Sequence, residues 1–235
     1  MIAVVFGSSG GIGQALAERI VASGRYQTVF AVSRSGGEIS GAINLTAAFT
    51  DAAALAAVAD EIRKAGPVTL CLVASGLLSG PDLKPEKTYK AMTLDAFQRV
   101  FAANTFGPAL IAAQMLPLMP KTERSVFAAL SARVGSISDN RLGGWHAYRA
   151  SKAALNMLIR NFALEQARRA PGNICAGLHP GTVDTGLSRN FQGGVADDKL
   201  FTPEQAAGYL LEVVDRLTPE DSGKCFDWAG KEVPA

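Results

Sequence analysis

Residues 2–20, IAVVFGSSGGIGQALAERI, decide the fold of this chain. The stretch opens with an uninterrupted apolar run, which favours a strand buried on both faces of a parallel sheet. The glycines Gly7, Gly11 and Gly13 follow, and a helical pattern begins directly after them. A glycine-rich turn between a strand and a helix lets the backbone approach a pyrophosphate, which binds at the helix N-terminus. A tight turn without a ligand is the alternative, but the flanking elements favour a nucleotide site.

Strand-like and helix-like runs alternate through the rest of the sequence. Apolar runs typical of strands lie at 28–34, 41–45, 68–75, 125–131, 173–179 and 224–228. Helical patterns lie at 51–66, about 94–118, about 145–169 and after Thr202-Pro203-Glu204. This order predicts an α/β fold of the Rossmann type: a doubly wound parallel sheet of about seven strands with helices on both faces. We expect a single domain over residues 1–235.

Composition narrows the class of protein. Apolar residues make up 48% of the chain and the net charge is +2. We find no apolar stretch of ~20 residues and no basic cluster, so we expect neither a membrane nor a nucleic acid as partner. The N-terminal apolar run is too short for a secretory signal. The three cysteines fall in strand-like runs, which is typical of reduced thiols in the cytoplasm, and the spacing of the two histidines indicates no metal site.

Tyr148 and Lys152 form the second informative pattern. Residues four apart lie on one face of a helix, so a phenol and an ammonium group can share a site here. A nearby cation favours the phenolate and is expected to lower the pKa of the tyrosine from about 10. A tyrosine of this kind can donate a proton to a carbonyl oxygen or accept one from an alcohol. A half-buried ring beside a solvated lysine is the alternative.

Together these patterns resemble the short-chain dehydrogenase/reductase family. The glycine spacing combined with Tyr148-x-x-x-Lys152 is similar to that family over essentially the whole chain. Residues 180–185, PGTVDT, resemble the family's segment beside the nicotinamide, and Asn104 matches an asparagine of its central helix. Within the family, residues 130–158 are most similar to the C-factor and sniffer-like carbonyl reductase branch.

The resemblance implies a reversible hydride transfer between NADPH and a small or medium carbonyl compound. Tyr148 would be the general acid, Lys152 would lower its pKa and hold the nicotinamide ribose, and Asn104 would support a water path for protons. The helices around 109–116 and 155–163 are apolar on more than one face, which fits either packing against another subunit or a thick monomer core. The resemblance implies a homodimer or homotetramer, because members of the family associate through these helices. The remaining cofactor contacts implied are Gly7, Ser9, Gly11, Ile12, Gly13, Gly76, Pro180, Gly181, Val183 and Thr185.

The end of the second strand indicates the choice of cofactor. An acidic residue there binds the ribose 2′-hydroxyl of NAD, whereas an arginine accommodates the 2′-phosphate of NADP. Ser33-Arg34 stands at this place without an acid, so we expect NADP(H) rather than NAD(H). An ordinary surface arginine is the alternative. Asn44-Leu45 occupies the place where the family contacts adenine, and an amide oxygen can still accept a hydrogen bond there.

One departure from the family pattern concerns the substrate-orienting serine. Aligning the fifth strand places Ala132 where the family has that serine, and an alanine cannot orient a carbonyl group. Ser131, which pleating directs to the other side of the strand, and Ser136 are the two substitutes we consider. The loss leaves another function open, that of an NADP(H)-binding signalling or regulatory protein with weak turnover. A separate alternative among enzymes is an NAD-dependent alcohol dehydrogenase. Residues 185–198 form a plausible lid.

Overall fold

The chain folds around one seven-stranded parallel sheet in a computed structural model that describes residues 1–193, 196 and 199–235. Two further strands, two residues each, form a separate parallel pair. The strands are β1 (Ile2–Phe6), β2 (Thr28–Ser33), β3 (Ile43–Thr46), β4 (Val68–Val73), β5 (Ser125–Leu130), β6 (Asn173–His179), β7 (Thr182–Val183), β8 (Leu200–Phe201) and β9 (Cys225–Asp227). The large sheet has the order β3-β2-β1-β4-β5-β6-β9. The predicted α/β architecture is confirmed.

Helices cover both faces of the sheet. They are α1 (Gly11–Ala22), α2 (Ala52–Ala65), α3 (Leu94–Phe101), α4 (Gly107–Met115), α5 (His146–Arg169) and α6 (Pro203–Arg216). Alternate residues of a strand point to opposite faces. Accordingly, Val5 of β1 packs in the core beneath α1 and α6, whereas its neighbour Phe6 packs in the core beneath α2, α4 and α5. Within the described residues, no helix is both long and apolar enough to cross a membrane.

The helix expected at 94–118 is interrupted. A π-helical turn, Ala102–Phe106, separates α3 from α4, and the Gly107 N–H donates to the carbonyl of Ala102. The reason lies in Pro108, which has no N–H to offer the carbonyl of Asn104 four residues earlier. The break therefore falls on the segment that carries Asn104, a residue assigned a role from the sequence.

The carboxyl ends of the strands position the functional residues. Chain order reverses beside β1, because β2 and β3 lie on one side of it and β4, β5 and β6 on the other. In open parallel sheets, ligands bind in the crevice outside the strand ends at such a reversal. The Gly7 turn, Arg34, Gly76, Ser131 and Pro180 all follow strand ends at this edge.

Candidate active site

The glycine-rich turn is closely packed. Gly7 has φ +88°, a conformation that favours glycine. A Cβ on Gly13 would lie 2.1 Å from the Gly7 carbonyl oxygen, so α1 can approach the turn only with glycine there. A Cβ on Gly11 would lie 3.0 Å from the methyl carbon of Thr185. The glycine-rich turn therefore packs closely against the Pro180–Thr185 segment.

The N-terminus of α1 is open to a ligand. Its N-cap, Gly10, provides no side-chain hydrogen bond, and the first turn carries no acidic residue. The leading N–H groups of a helix lack intrahelical acceptors and carry partial positive charge. An anion at this point would therefore find donors without competition from a capping carboxylate.

The residues predicted to contact the adenosine end lie at the end of β2, directly after it, and in the neighbouring strand β3. The Ser33 side chain is buried at the end of that strand, whereas Arg34 is exposed directly after it. Ser35 donates a hydrogen bond to the Ser9 hydroxyl at 3.2 Å, so this loop touches the glycine-rich turn. Leu45 packs against the core from β3.

Asn44 is engaged within its own loop. Its Oδ1 accepts from the Ile39 N–H at 2.9 Å, and its Nδ2 donates to the carbonyls of Ile39 and Ala42. The amide therefore holds the 39–44 loop in shape. The sequence pattern gave no sign of this use, because the partners depend on the fold of the loop.

Tyr148 and Lys152 lie one helical turn apart near the start of α5, and both are buried. The Lys152 Nζ donates to the Leu130 carbonyl at 2.7 Å and lies 5.9 Å from the centroid of the Tyr148 ring. The pair is thus adjacent, but the ammonium hydrogen bond goes to the end of β5.

The expected lowering of the Tyr148 pKa is wrong for this structure. Burial raises the pKa of Tyr148 to about 12, because the phenolate loses its hydration. Burial also lowers the pKa of Lys152 to about 8. At neutral pH the tyrosine therefore holds its proton firmly, as an acid must before it reacts.

Neither candidate serine has its proton free for a substrate. Ser131 lines the cavity described below, but its hydroxyl donates to the Asn156 Oδ1 at 2.6 Å. The Ser136 hydroxyl is buried and donates to the Ala235 carbonyl at 3.3 Å. Asn156 was missed from the sequence, although it lies four residues after Lys152 and hence on the same face of α5.

Asn104 fastens the loop after β4 to α5. Its side chain is fully buried, and it both accepts from the Leu77 N–H and donates to the Leu77 carbonyl, at 2.7 and 2.9 Å. A third bond runs to the Ser151 hydroxyl, which donates to the carbonyl of Tyr148. Gly76 lies beside this junction, with Asn104 Oδ1 3.8 Å from the position of a Cβ.

A cavity of about 190 Å³ brings together Tyr148, Ser131 and residues of the Pro180–Thr185 segment, whereas Asn104, Ser136 and Lys152 lie outside its lining. Most of the side chains in its lining are apolar or hydroxyl-bearing, and Arg133 supplies a charged one. The lining residues are Ile12, Leu78, Ser131, Ala132, Arg133, Val134, Trp145, Tyr148, His179, Pro180, Gly181, Thr182, Val183, Thr185, Leu187, Ser188 and Phe191.

Trp145 is held in this cavity by an unusual backbone. It has φ +50°, in the left-handed region, where a non-glycine residue costs roughly 1 kcal/mol or more. Its N–H donates to the Glu86 carbonyl, and the buried Glu86 carboxylate accepts from the Ala147 N–H at 3.3 Å. The indole contacts the rings of Tyr148 and Phe191 edge-on. Phe191 belongs to the predicted lid, of which residues 194, 195, 197 and 198 lie outside the described residues.

His179, one of the two histidines, lies in the cavity lining. Its Nδ1 is buried without a hydrogen-bond partner among the described residues. Burial lowers the pKa of the imidazole to about 4, so it is neutral at neutral pH. The described residues also contain no cluster of potential metal ligands.

Comparison with known proteins agrees with the geometry. The family model for short chain dehydrogenases matches residues 1–194. C-signal of Myxococcus xanthus is 39% identical over 136 residues, or 58% of this chain and 76% of that protein. A 1-hydroxy-2-glutathionyl-2-methyl-3-butene dehydrogenase of Rhodococcus sp. (strain AD45) is 37% identical over 134 residues, which cover 57% of this chain and 56% of the relative.

Solved structures extend the likeness to the complete chain. The NADPH-bound carbonyl reductase from chicken fatty liver has a TM-score of 0.84 at 26% identity, covering 100% of this chain and 94% of that one. The family match and the seven-stranded sheet together lead to one conclusion: this chain belongs to the short chain dehydrogenase family of NAD(P)-dependent oxidoreductases.

Proposed function

We propose that this protein is an NADPH-dependent reductase of small or medium carbonyl compounds. The observation that carries the proposal is the shared cavity, in which Tyr148 faces the same space as Ile12 and the Pro180–Thr185 segment. This cavity of about 190 Å³ lies where a small substrate and the nicotinamide would meet. Support also comes from the chicken carbonyl reductase, which is similar over all of this chain and binds NADPH.

The residues present fit a dinucleotide. The tight packing of Gly7 and Gly13 and the uncapped start of α1 make a place for a pyrophosphate, with Ser9 and Gly11 beside it. Arg34 would bind the 2′-phosphate, and Ser33, Asn44 and Leu45 border the adenosine. Residues that would border the nicotinamide half are Ile12, Gly76, Tyr148, Lys152, Pro180, Gly181, Val183 and Thr185. When bound, the cofactor supplies the hydride.

Tyr148 would act as the proton donor to the carbonyl oxygen. Its raised pKa keeps it protonated at neutral pH, which favours reduction over alcohol oxidation. Lys152 would stabilise negative charge on the phenol oxygen as the proton leaves. Because Ala132 has no donor and the Ser131 proton is held by Asn156, Tyr148 would orient the carbonyl without a serine.

Two supporting roles follow from the packing. Asn104 would keep the Leu77 loop against α5, and the carbonyl of Asn104, which Pro108 leaves without its helical donor, would anchor a water path to Lys152. Trp145, Leu187 and Phe191 would exclude water from the cavity.

The test compares the wild-type protein with Tyr148→Phe, with NADPH oxidation measured on a panel of aldehydes, ketones and diketones at neutral pH. Removing one oxygen should lower kcat by about 100-fold or more, since general acid catalysis typically contributes that much. NADPH fluorescence should still report binding. Tyr89→Phe, at an exposed ring outside the cavity lining, is the matched control. Equal turnover in wild type and Tyr148→Phe would rule out this role.

The choice of NADP(H) is tested separately at Arg34. Arg34→Ala should raise the KM for NADPH by about 10- to 100-fold, because a charge-assisted bond to the phosphate is lost. The KM for NADH should stay nearly constant. A variant that leaves the NADPH KM unchanged would instead favour the NAD-dependent alcohol dehydrogenase.

A regulatory, NADP(H)-binding function is the second candidate. Ala132 and the engaged Ser131 hydroxyl favour it, since both weaken the substrate-orienting position. The relative called C-signal gives it a biological precedent. In that case Tyr148→Phe would leave the biological effect of the protein intact, whereas loss of the effect would eliminate this candidate.

We also propose that the protein is a cytoplasmic homodimer or homotetramer. Its three cysteines are buried free thiols, and burial raises the pKa of each. Buried thiols of this kind suit a reducing compartment. The outer face of α5 exposes Met157 and Leu164, which favours association with a second copy.

A further inference from the structure

The cavity contains a cation that the proposed reaction does not use. Arg133 directly follows Ala132 and begins the 3₁₀ turn Arg133–Gly135. It lines the same cavity as Tyr148. His179 belongs to the same lining, so Arg133 and His179 border one space with Tyr148.

Arg133 retains most of its hydrogen-bonding capacity. Its Nε donates to Asp139 Oδ2 at 2.7 Å, and half of its side-chain surface is exposed. Neither Nη group makes a hydrogen bond within the part of the chain that the structure describes. A guanidinium has five N–H groups, and a carboxylate can take two of them at once in a planar pair.

The lining of the cavity favours an anion, because the carboxylates described around it, those of Glu86, Asp139 and Asp227, lie outside that lining. None of its described lining residues is an aspartate or glutamate. Asp227, the carboxylate that acts on His179, is occupied by the N–H groups of Ala229 and Lys231. Asp139 is bound to Arg133 from outside the lining set. A neutral substrate would leave the two Nη groups of Arg133 to solvent.

We propose that Arg133 makes the cavity selective for carbonyl compounds that carry a carboxylate. This proposal rests on the proposed reductase function and deepens it, because it names the substrate class. The carbonyl group would meet Tyr148, the apolar body would lie against Trp145 and Phe191, and the carboxylate would bind the Nη groups. Arg133 thereby contributes specificity at the strand end where Ala132 contributes no polar group.

The test uses matched substrates with NADPH: 3- and 4-formylbenzoate against their methyl esters. The wild type should show kcat/KM about 10- to 100-fold higher for the carboxylates, as expected for charge-assisted hydrogen bonds. In Arg133→Met this ratio should fall toward one. Arg133→Lys, which keeps the charge and loses the fork, should give an intermediate ratio.

Two further variants keep the result specific. Arg133→Met combined with Asp139→Asn removes both charges, so a lost preference in this variant does not come from an unpaired Asp139. Arg141→Met removes an exposed charge from the same loop outside the cavity lining and should retain the wild-type ratio. A wild type that prefers the esters would overturn the proposal. So would a carboxylate-to-ester ratio of kcat/KM that stays at the wild-type value in Arg133→Met and in Arg133→Met combined with Asp139→Asn.

Failure of the reductase function would be recognisable separately. If neither aldehyde nor ester is reduced, tryptophan fluorescence is titrated with benzoate and with methyl benzoate in the presence of NADP, in a Trp228→Phe background that leaves Trp145 as the reporter. Selective binding of benzoate that disappears in Arg133→Met supports the anion site even then. Equal or absent binding of the two probes contradicts it.

Discussion

Lys152 bears a charge in a place that penalises charge. Its side chain is almost completely buried, and its one described hydrogen bond goes to the Leu130 carbonyl. Lowering a lysine pKa from 10.5 to about 8 corresponds to on the order of 3 kcal/mol of destabilisation when the group is protonated in both states. The buried, charged lysine thus destabilises the folded protein, as active-site residues commonly do.

Lys152→Met should therefore stabilise the protein while abolishing reduction. Since the Leu130 carbonyl loses its donor, the net gain at pH 7 should be about 1–2 kcal/mol in the free energy of unfolding. The gain should be complete below pH about 8, where the folded lysine is charged, and should fade as pH rises to about 10.5. Urea unfolding across this range measures it.

Lys64→Met is the control for that experiment. Lys64 is exposed on α2 and pairs with Glu61, so its replacement should change stability by no more than about 0.5 kcal/mol at any pH. A Lys152→Met variant that is less stable than wild type at pH 7 would show that the Leu130 hydrogen bond outweighs the cost of burial.

For single residues, the sequence predicts which side chains lie close together better than it predicts their pKa values and hydrogen-bond partners. The spacing of Tyr148 and Lys152 places them on one helical face, and they are adjacent. The direction of the Tyr148 pKa was wrong, because burial strips the phenolate of its hydration, and burial depends on the tertiary fold. The ammonium hydrogen bond goes to Leu130, a residue of β5. Ser131 was expected on the far side of the strand, yet it lines the cavity. Its hydrogen bond to Asn156 joins residues 25 apart in the sequence, a contact that depends on the tertiary fold.

At the scale of elements, the union of the β1 turn with α1 depends on one missing carbon. A Cβ on Gly13 would overlap the Gly7 carbonyl, which belongs to rigid backbone on both sides. Gly13→Ala should cost about 3 kcal/mol of stability, at the upper end of overpacking, and weaken NADPH binding. Urea unfolding and NADPH fluorescence titration measure the two effects.

Gly10→Ala is the matched control in the same turn. Gly10 has φ −89°, which any residue adopts, and a Cβ there would lie 3.5 Å from its nearest neighbour. Its effect on stability should stay below about 1 kcal/mol. A Gly13→Ala variant as stable as Gly10→Ala would mean that the turn can yield.

Most elements followed from periodicity, with bounds within a few residues. β6 at Asn173–His179 agrees at both ends. The π-helical turn and the two-residue strands β7 and β8 were not expected, since such short segments contain no period to detect. The left-handed Trp145 likewise depends on Glu86, which is distant in sequence.

At the scale of the whole molecule, one helix face lacks a described partner. Met157 and Leu164 are 62% and 49% exposed on α5, seven residues apart and hence on one side of the helix. Met157→Glu combined with Leu164→Glu should convert the expected dimer or tetramer into monomers with the fold retained. Sedimentation velocity and circular dichroism give the two readings.

Leu142→Glu is the control, since it removes an exposed leucine from a different surface. Its mass in solution should equal that of the wild type. A wild-type protein that is monomeric in solution would show that Met157 and Leu164 do not form an interface between copies of this chain.

The π-helical turn has a consequence for the molecule as a whole. Its extra residue rotates α4 relative to α3 by roughly a quarter of a turn. Val100 of α3 thereby faces the cluster around Tyr148, while Ile111 of α4 faces the sheet. The two consecutive helices α3 and α4 thus pack into two different hydrophobic clusters, and Asn104 lies in the turn between them. Deleting one residue from this turn would rotate α4 relative to α3 by about 100°. Val100 and Ile111 could then no longer both face the clusters into which they pack.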